Sequence, residues 1–372
     1  MSDKKFYTLI DFGKSTIRAT SFNKEYKKVE NHFERVIKND LSNNLFNEEK
    51  LIEDLIFNLE KKNGEYLDEI FLMVDNAKTL SISITIFNKN DEHILNGNFL
   101  KYIIDDAKYE VNKNYPNYEI VHTITKNFFL GKEKFSELPQ NLNHNKFAVE
   151  FNFIIYPKLF LDNIKKVFAK QNVTIKKFIC SSYSRSIFYL NKISDKEKII
   201  FVDIGFEKTC AFLFENKKML QFKILPIGGN HITKDISKIL NIEILKANEI
   251  KLNFDNIEND KYLKQDQVEL VKKIIFARIE ELLEISTLFF EAKDDLKDVK
   301  LVFFGNGSKI LDTKFKSNII FTYDIDLLDE NYVDICLSGL NLVNNENGNL
   351  YKKVELIRTK KGFFEKFFHL FG

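Results

Sequence analysis

Hydrophobic positions recur along this chain with two different periods, which indicates a mixture of strands and helices. Runs of β-branched and aromatic residues at 6–10 and 15–22 flank a short polar turn, so they predict two strands joined at that turn. Residues 198–203 and 210–215 show the same strand, turn and strand pattern in the second half of the chain. This repetition predicts two halves of similar construction that face each other.

The same periodicities predict further elements around these two strand pairs. Helices are predicted at 51–61, 96–111, 158–171, 184–190, 241–251 and 267–292, and strands at 69–74, 121–130, 146–156, 174–179 and 299–304. The segment 82–158 combines one helical and two strand-like patterns, which is typical of a small α+β insertion. Residues 344–361 are polar and are interpreted as a linker.

Composition excludes several functional classes. The 372 residues include 56 basic and 54 acidic side chains, so the net charge is too small to favour a nucleic-acid partner. Three widely spaced cysteines form neither a disulfide framework nor a CxxC pair, and the six histidines show no zinc-binding spacing. No apolar run reaches the ~18 residues of a transmembrane helix, and the N-terminal residues lack a signal peptide's apolar region. We therefore expect a cytosolic chain of roughly two to three domains.

Six of the 13 glycines follow strand-like apolar runs at points where the chain must turn. A glycine turn lets backbone N–H groups approach a phosphate closely, so this grouping predicts a shared cleft. The six are Gly13, Gly205, Gly228, Gly229, Gly305 and Gly307. Residues 13–16 have the sequence Gly-Lys-Ser-Thr, but a P-loop needs another glycine where Thr8 stands, and a strand follows instead of a helix. We therefore reject a P-loop.

Four segments resemble, in this order, the phosphate and adenosine segments of the actin-like ATPases: DFGKSTIRA, FVDIGFEKTCAFLF, LPIGGNHITKDISKILNIEILKANEIK and LVFFGNGSKIL. The third, together with ARIEELLEI, is similar to the FtsA family of bacterial cell division proteins. The resemblance covers nearly the whole chain and includes the insertion, because that family carries a small extra subdomain inside its first half. It implies a duplicated, ribonuclease H-like, two-lobed α/β fold with an inserted α+β subdomain and a C-terminal amphipathic helix.

The resemblance also implies domain boundaries. The first lobe core would comprise 1–81 and 159–197, the inserted subdomain 82–158, the second lobe core 198–228 and 299–343, and its outer subdomain 229–298. The linker at 344–361 would then lead to a membrane-targeting helix at 362–372.

A nucleotide site between the lobes follows from the same resemblance, with ATP and Mg²⁺ as the implied cofactors. The implied nucleotide-binding residues are Asp11, Gly13, Lys14, Ser15, Asp203, Gly205, Thr209, Gly228, Gly229, Asn230, Glu249, Lys251, Gly305, Gly307 and Ser308. Asp11 and Asp203 would hold Mg²⁺ through water. Without the resemblance, Glu249 and Lys251 would be interpreted as part of an exposed helical face.

The chain departs from the family pattern at several positions near the phosphates. Phe206-Glu207-Lys208 replaces the usual Gly-Gly-Thr, and Cys210 stands where a second acidic residue is usual, so we expect weakened nucleotide binding. Ser181 occupies the place of a water-orienting side chain. Because serine is short for that role, we expect slow or absent ATP hydrolysis and predict no catalytic residue.

The last residues form a strongly amphipathic pattern. On a helical wheel their aromatic and leucine side chains fall within an arc of about 160°. Such a face sinks into the headgroup boundary while nearby lysines meet anionic lipid. The predicted membrane-contacting residues are Lys360, Lys361, Phe363, Phe364, Lys366, Phe367, Phe368, Leu370 and Phe371. A helix docked on the protein's own core is the alternative, and the preceding linker and the family's membrane helix favour the membrane.

The resemblance implies a scaffold at the division site, on the cytoplasmic face of the bacterial inner membrane. Its implied partners are the FtsZ C-terminal tail, further copies of itself through the inserted subdomain, anionic lipid and other divisome proteins. Arg278 matches the region that receives the FtsZ tail. One alternative is a pilus-assembly actin-like protein that reaches the membrane through a partner's peptide. Another is a sugar or acetate kinase of the same superfamily, which needs a catalytic carboxylate in the substrate cleft.

Overall fold

A computed structural model describes residues 6–23, 29–36, 45–88, 97–139, 146–193, 198–259, 263–291, 299–311 and 324–348. The strands are β1 Phe6–Phe12, β2 Thr16–Asn23, β3 Val29–Val36, β4 Glu69–Val74, β5 Leu80–Asn88, β6 Tyr118–Leu130, β7 Glu133–Phe135, β8 Phe147–Pro157, β9 Thr174–Cys180, β10 Lys198–Ile204, β11 Thr209–Glu215, β12 Lys218–Leu225, β13 Lys300–Phe304 and β14 Asp324–Leu327. The helices are α1 Leu45–Asn63, α2 Gly97–Asn114, α3 Lys158–Ala169, α4 Ser181–Leu190, α5 Gly229–Leu240, α6 Ile244–Leu252, α7 Gln265–Glu291 and α8 Tyr332–Gly348. In these ranges, no helix combines the length and the apolar character needed to cross a membrane.

Two five-stranded sheets have the same topology, which confirms the predicted repetition of two halves. The first sheet has the order β3-β2-β1-β4-β9 and the second the order β12-β11-β10-β13-β14. In each sheet the first strand in sequence pairs antiparallel with the second strand and parallel with the fourth, β4 or β13. Both central strands are nearly continuous apolar runs, as expected for strands that are covered on both faces.

A third, four-stranded sheet with the order β5-β8-β6-β7 forms the insertion. Helix α2 packs against this sheet, and its buried residues recur at helical spacing: Leu100, Ile103, Ile104, Ala107 and Val111. The α+β character predicted for this segment is therefore correct.

Some element predictions differ from the structure. The helix predicted at 241–251 begins at Ile244, because Asn241 adopts the left-handed conformation (φ 51°) and ends α5. Helix α5 itself was not predicted, since its glycine-containing start resembles a turn. Helix α8 was not predicted either, and it covers the first five residues of the segment interpreted as a linker. The membrane helix predicted at 362–372 lies outside the described residues.

Candidate functional site

Two equivalent turns stand at the carboxyl ends of the two central strands. In the first, the Gly13 N–H donates to the Thr16 carbonyl at 3.1 Å. In the second, the Gly205 N–H donates to the Lys208 carbonyl at 2.9 Å. Duplicated sheets thus end in duplicated turns.

The second turn packs against the start of α5. The Gly229 N–H donates to the Gly205 carbonyl (2.9 Å), and the Asn230 N–H donates to the Phe206 carbonyl (2.8 Å). A Cβ at Gly228 would lie 2.6 Å from the Gly205 carbonyl oxygen, so only glycine fits there. The first amide groups of this helix therefore already have acceptors within the protein.

Lys251 reaches this helix start from α6. Its ammonium group donates to the Gly229 carbonyl (3.1 Å) and to the Thr233 hydroxyl (2.7 Å). Burial lowers the pKa of Lys251 to about 8. Among the described residues, no carboxylate forms an ion pair with it, so its charge is not balanced locally.

The structure brings Lys251 together with two of the predicted glycines and leaves Glu249 at the surface. A Cβ at Gly229 would lie 3.8 Å both from the Lys251 ammonium nitrogen and from the Gly307 Cα. The Glu249 side chain is 71% exposed and pairs with Lys246 at 3.5 Å. The two residues implied as an adenosine-side pair therefore have different environments.

Other predicted side chains have internal hydrogen-bond partners or face solvent. Thr209 donates from its hydroxyl to the Ile227 carbonyl (2.7 Å), and Ser308 donates to the Gly305 carbonyl (2.7 Å). Lys14 is exposed and Ser15 is half-buried at the first turn.

Asp11 and Ser181 form a direct hydrogen bond in the region between the carboxyl ends of β1 and β10, which is called the cleft from here on. The Ser181 hydroxyl donates to the Asp11 Oδ1 at 2.7 Å, and both residues are buried. The Asp11 Oδ2 accepts from Arg18 at 3.2 Å, and Arg18 is its cross-strand neighbour in β2. Arg18 also donates to Asn306 of the second lobe (3.2 Å), so this pair links the two lobes.

Asp75 is a cleft carboxylate that the sequence analysis missed. It directly follows β4 and accepts from the Ser182 N–H (3.2 Å) and the Ser182 hydroxyl (2.6 Å). Lys208 forms an ion pair with it at 3.2 Å. Burial by itself would raise the pKa of Asp75, but Lys208 and Ser182 hold that pKa below its ordinary value. A polar residue at the end of a buried apolar run, as at Asp11 and Asp203, was the available signal.

Arg185 and Glu330 were also missed. Arg185, on α4, forms ion pairs with Asp203 and, at 2.8 Å, with Glu330. The Gly305 N–H donates to the same oxygen of Glu330 at 2.9 Å. Nothing in the local pattern around Arg185 distinguishes it from a surface residue of an amphipathic helix.

The substituted second turn accommodates its unusual side chains. Glu207 is exposed, so it turns away from the cleft. Lys208 donates to the Cys210 sulfur at 3.0 Å as well as pairing with Asp75. Burial raises the pKa of the Cys210 thiol to about 11, which makes it an unreactive thiol at neutral pH.

A divalent cation does not fit the two predicted metal carboxylates. Asp11 pairs with Arg18, and Asp203 pairs with Arg185, so a protein cation already neutralises each one. Within the part of the chain that the structure describes, no three His, Cys, Asp or Glu side chains are grouped as metal ligands. Mg²⁺ usually binds through one or two carboxylates and keeps several water ligands, and both of the predicted carboxylates are already held by arginines.

Arg278 lies on α7, at the surface of the second lobe. Its Nε donates to Asp235 at 2.6 Å, and its guanidinium also contacts Glu281. The side chain is 30% exposed. The predicted partner-binding arginine is therefore accessible but already paired.

Sequence comparison matches the second lobe to a known family. The family model described as cell division protein FtsA matches residues 200–301, from β10 to β13. The chain is similar to the cell division protein FtsA. FtsA of Helicobacter pylori is 24% identical over 194 residues, which are 52% of this chain and 37% of that relative. The chain thus matches well under half the length of this FtsA.

Comparison with solved structures establishes the fold. The PilM-PilN type IV pilus biogenesis complex matches with a TM-score of 0.61 and 14% identity, covering 87% of this chain and 88% of that one. MreB5 of Spiroplasma citri, bound to ADP, matches with a TM-score of 0.50 and 9% identity over 93% of this chain and 99% of MreB5. The chain has the actin-like ATPase fold, which confirms the predicted fold class.

Proposed function

We propose that this chain is an actin-like scaffold of bacterial cell division that binds ATP between its lobes. It acts at the division site on the cytoplasmic face of the inner membrane, where it binds FtsZ and further copies of itself. The observation that carries the proposal is the FtsA match at residues 200–301. That range contains the second turn, the start of α5, Lys251 and Arg278.

The charge on Lys251 supports the nucleotide part of the proposal. A buried ammonium group without a local carboxylate is stabilised by an anionic ligand. Lys251 lies beside Gly229, and Gly307 is close to the same point, so an anionic ligand there would meet little side-chain bulk. Mg²⁺, which the resemblance implied, is not part of the proposal, because Arg18 and Arg185 already pair with Asp11 and Asp203.

Hydrolysis of the bound nucleotide would be slow. Ser181 stands at the family's water-orienting position, and its hydroxyl donates a hydrogen bond to Asp11. A serine side chain is short for holding an attacking water in line. The proposal therefore assigns ATP the role of a structural ligand. Phosphate release from ATP would be measured for the unchanged chain and for an Asp11→Asn variant. We expect the two rates to be equal.

Membrane association would depend on residues 362–372. Co-sedimentation with anionic liposomes would compare the full chain, a chain ending at Thr359, and a full-length Phe364→Asp/Phe367→Asp variant. Only the unchanged full chain is expected to sediment with the vesicles, because the variant keeps the length and lysines but loses the apolar face. Equal sedimentation of all three would contradict membrane anchoring by this segment.

FtsZ binding would be measured with a fluorescent peptide of the FtsZ C-terminal tail. Arg278→Glu is expected to weaken binding at least tenfold, because it repels an acidic peptide at a partly exposed site. Lys165→Glu is the matched control, since Lys165 also pairs with two carboxylates on a distant surface. Unchanged affinity in both variants would exclude Arg278 from the interface.

A pilus-assembly actin-like protein is the second candidate function, favoured by the TM-score of 0.61 to the PilM-PilN complex. Such a protein would reach the membrane through a partner's peptide. Failure of the full chain to sediment with liposomes, together with absence of FtsZ-tail binding, would favour this candidate over the first.

A further inference from the structure

Each cleft carboxylate at or directly after the end of a strand is paired with a positive side chain of this chain. Asp11 pairs with Arg18 at 3.2 Å, and Asp75 pairs with Lys208 at 3.2 Å. Asp203 pairs with Arg185. Arg18 lies in β2, Arg185 on α4 and Lys208 in the turn after β10, so the pairing is a property of the folded cleft and not of one turn.

Arg185 is the most enclosed of these cations. Its side chain is 9% exposed, and its guanidinium carbon lies 4.9 Å from the centre of the Phe304 ring. Asp203 and Glu330, its two partners, are 5% and 8% exposed. A fixed planar cation thus lies between two carboxylates that come from different strand ends.

The remaining hydrogen bonds hold both carboxylates in place around Arg185. The Ser182 hydroxyl oxygen lies 2.6 Å from the same oxygen of Asp203 that Arg185 contacts. The Gly305 N–H donates to Glu330 at 2.9 Å. The other Asp203 oxygen is buried without a partner among the described residues, and a Cβ at Gly305 would collide with it. Neither carboxylate is therefore oriented towards open space.

The charges in this cleft nearly cancel. Four carboxylates, Asp11, Asp75, Asp203 and Glu330, are set against the three cations Arg18, Lys208 and Arg185. A divalent cation close to Asp203 would meet the guanidinium of Arg185 in a site that is shielded from water, where like charges repel strongly. A metal ion would bring positive charge to these carboxylates, and here Arg18, Arg185 and Lys208 already bring it.

We infer that Arg185, with Arg18 and Lys208, takes the place of a divalent cation at these carboxylates, so that a ligand of the cleft binds without a metal ion. The exclusion of the metal ion stands independently of the proposed function. The identity of the ligand as a nucleotide rests on the proposed function.

Manganese binding tests directly whether the cleft excludes a divalent cation. Electron paramagnetic resonance would measure free Mn²⁺ in the presence of the full chain without nucleotide. The unchanged chain is expected to bind no more Mn²⁺ than an Asp203→Asn variant. Arg185→Gln is expected to create one stoichiometric Mn²⁺ site, which disappears in Arg185→Gln/Asp203→Asn. Stoichiometric Mn²⁺ binding by the unchanged chain that is lost in Asp203→Asn would overturn the inference.

Two control variants test whether the Mn²⁺ effect is specific to the cleft and whether a positive charge at position 185 is sufficient to exclude the ion. Lys165→Gln releases two exposed carboxylates, Glu119 and Asp162, and is expected to create no stoichiometric site. Arg185→Lys keeps the positive charge and is expected to exclude Mn²⁺ like the unchanged chain. A folded Arg185→Gln that binds no Mn²⁺ would show that Arg185 does not exclude the ion. If circular dichroism shows that Arg185→Gln is unfolded, Arg18→Gln, which releases Asp11, takes its place with the same expected and contrary results.

Thermal unfolding tests whether ATP binds and whether its binding needs Mg²⁺. The midpoint would be measured with ATP and Mg²⁺, with ATP and EDTA, and with Mg²⁺ alone. We expect the same upward shift with ATP in both conditions and none with Mg²⁺ alone. A shift that requires Mg²⁺ would overturn the inference. No shift in any condition would remove ATP from the proposed function, while the Mn²⁺ measurement still decides the exclusion of the metal ion.

Discussion

Lys208 of the second lobe forms an ion pair with Asp75 of the first lobe, with 3.2 Å between nitrogen and oxygen. The pair joins the turn after β10 to the end of β4, two segments that belong to different sheets. Its lysine stands in the sequence where the actin-like pattern has a threonine. The substitution that weakens the resemblance to a phosphate turn therefore supplies a contact between the lobes.

Removing Lys208 is expected to destabilise the fold. Lys208→Met leaves the Asp75 carboxylate partly buried without its cation, and we expect the free energy of unfolding to fall by about 3 kcal/mol. Urea denaturation would measure the change. Lys165→Met, at an exposed ion pair, is the control and is expected to change stability by less than about 1 kcal/mol. Equal effects of the two substitutions would contradict a stabilising role for the pair between the lobes.

His122 is expected to make the protein less stable in mild acid. Its ring accepts a hydrogen bond from the Cys180 N–H (2.9 Å), and burial, with Lys177 nearby, lowers the pKa of His122 to about 3. Below its unfolded pKa of 6.5, the unfolded chain binds a proton at His122 that the folded chain does not bind. Stability is therefore lost as pH falls from 6.5 towards 3, by up to about 1.4 kcal/mol per pH unit.

His122→Gln tests this dependence, because glutamine keeps a hydrogen-bond acceptor but does not titrate. Urea denaturation at several pH values would show a shallower acid slope for this variant than for the unchanged chain. Parallel slopes would mean that other groups cause the acid sensitivity.

Lys251 is expected to reduce stability in the absence of ligand and to increase the response to ATP. Lys251→Met removes a buried charge, so we expect the free energy of unfolding to rise by about 1 kcal/mol and the ATP-induced shift in unfolding temperature to shrink. Differential scanning fluorimetry with and without ATP measures both. Lys246→Met on the same helix is the control, since that lysine is 35% exposed. A less stable Lys251→Met with an unchanged ATP shift would refute the assignment.

Gly305 is expected to tolerate no side chain. It has a φ of 89°, and a Cβ there would collide with the Asp203 carboxylate and lie 2.8 Å from the Ile204 carbonyl oxygen. We expect Gly305→Ala to destabilise the protein by about 2 to 4 kcal/mol, from backbone strain and crowding together. Gly64→Ala is the control, because Gly64 has a φ of 67° and no described residue beyond its chain neighbours lies within 4 Å of its Cβ position, so only about 1 kcal/mol of backbone strain is expected. Chemical denaturation is expected to show a larger loss for Gly305→Ala than for Gly64→Ala, and equal losses would contradict the prediction.

The strand pairs, their turns and the insertion were predictable because each has a local pattern. Strand β4, Glu69–Val74, coincides with its prediction, since a buried strand is a continuous apolar run bounded by polar residues. Helix α4 begins at Ser181, three residues before its predicted start, because the Ser182 N–H and hydroxyl bind Asp75 from another strand end. A distant acceptor thus determined where that helix begins.

The sequence by itself determined the repeated strand, turn and strand units, the six glycine positions and the resemblance to actin-like proteins, because these depend on neighbours within a few residues. Only the tertiary structure decided which charges meet in the cleft. Arg185 and Glu330 are 145 positions apart, and Arg18 and Asn306 are 288 apart, so no periodicity connects them. Their pairing follows from two sheets that place the carboxyl ends of their central strands at one cleft, where buried charges are stable only when they are paired.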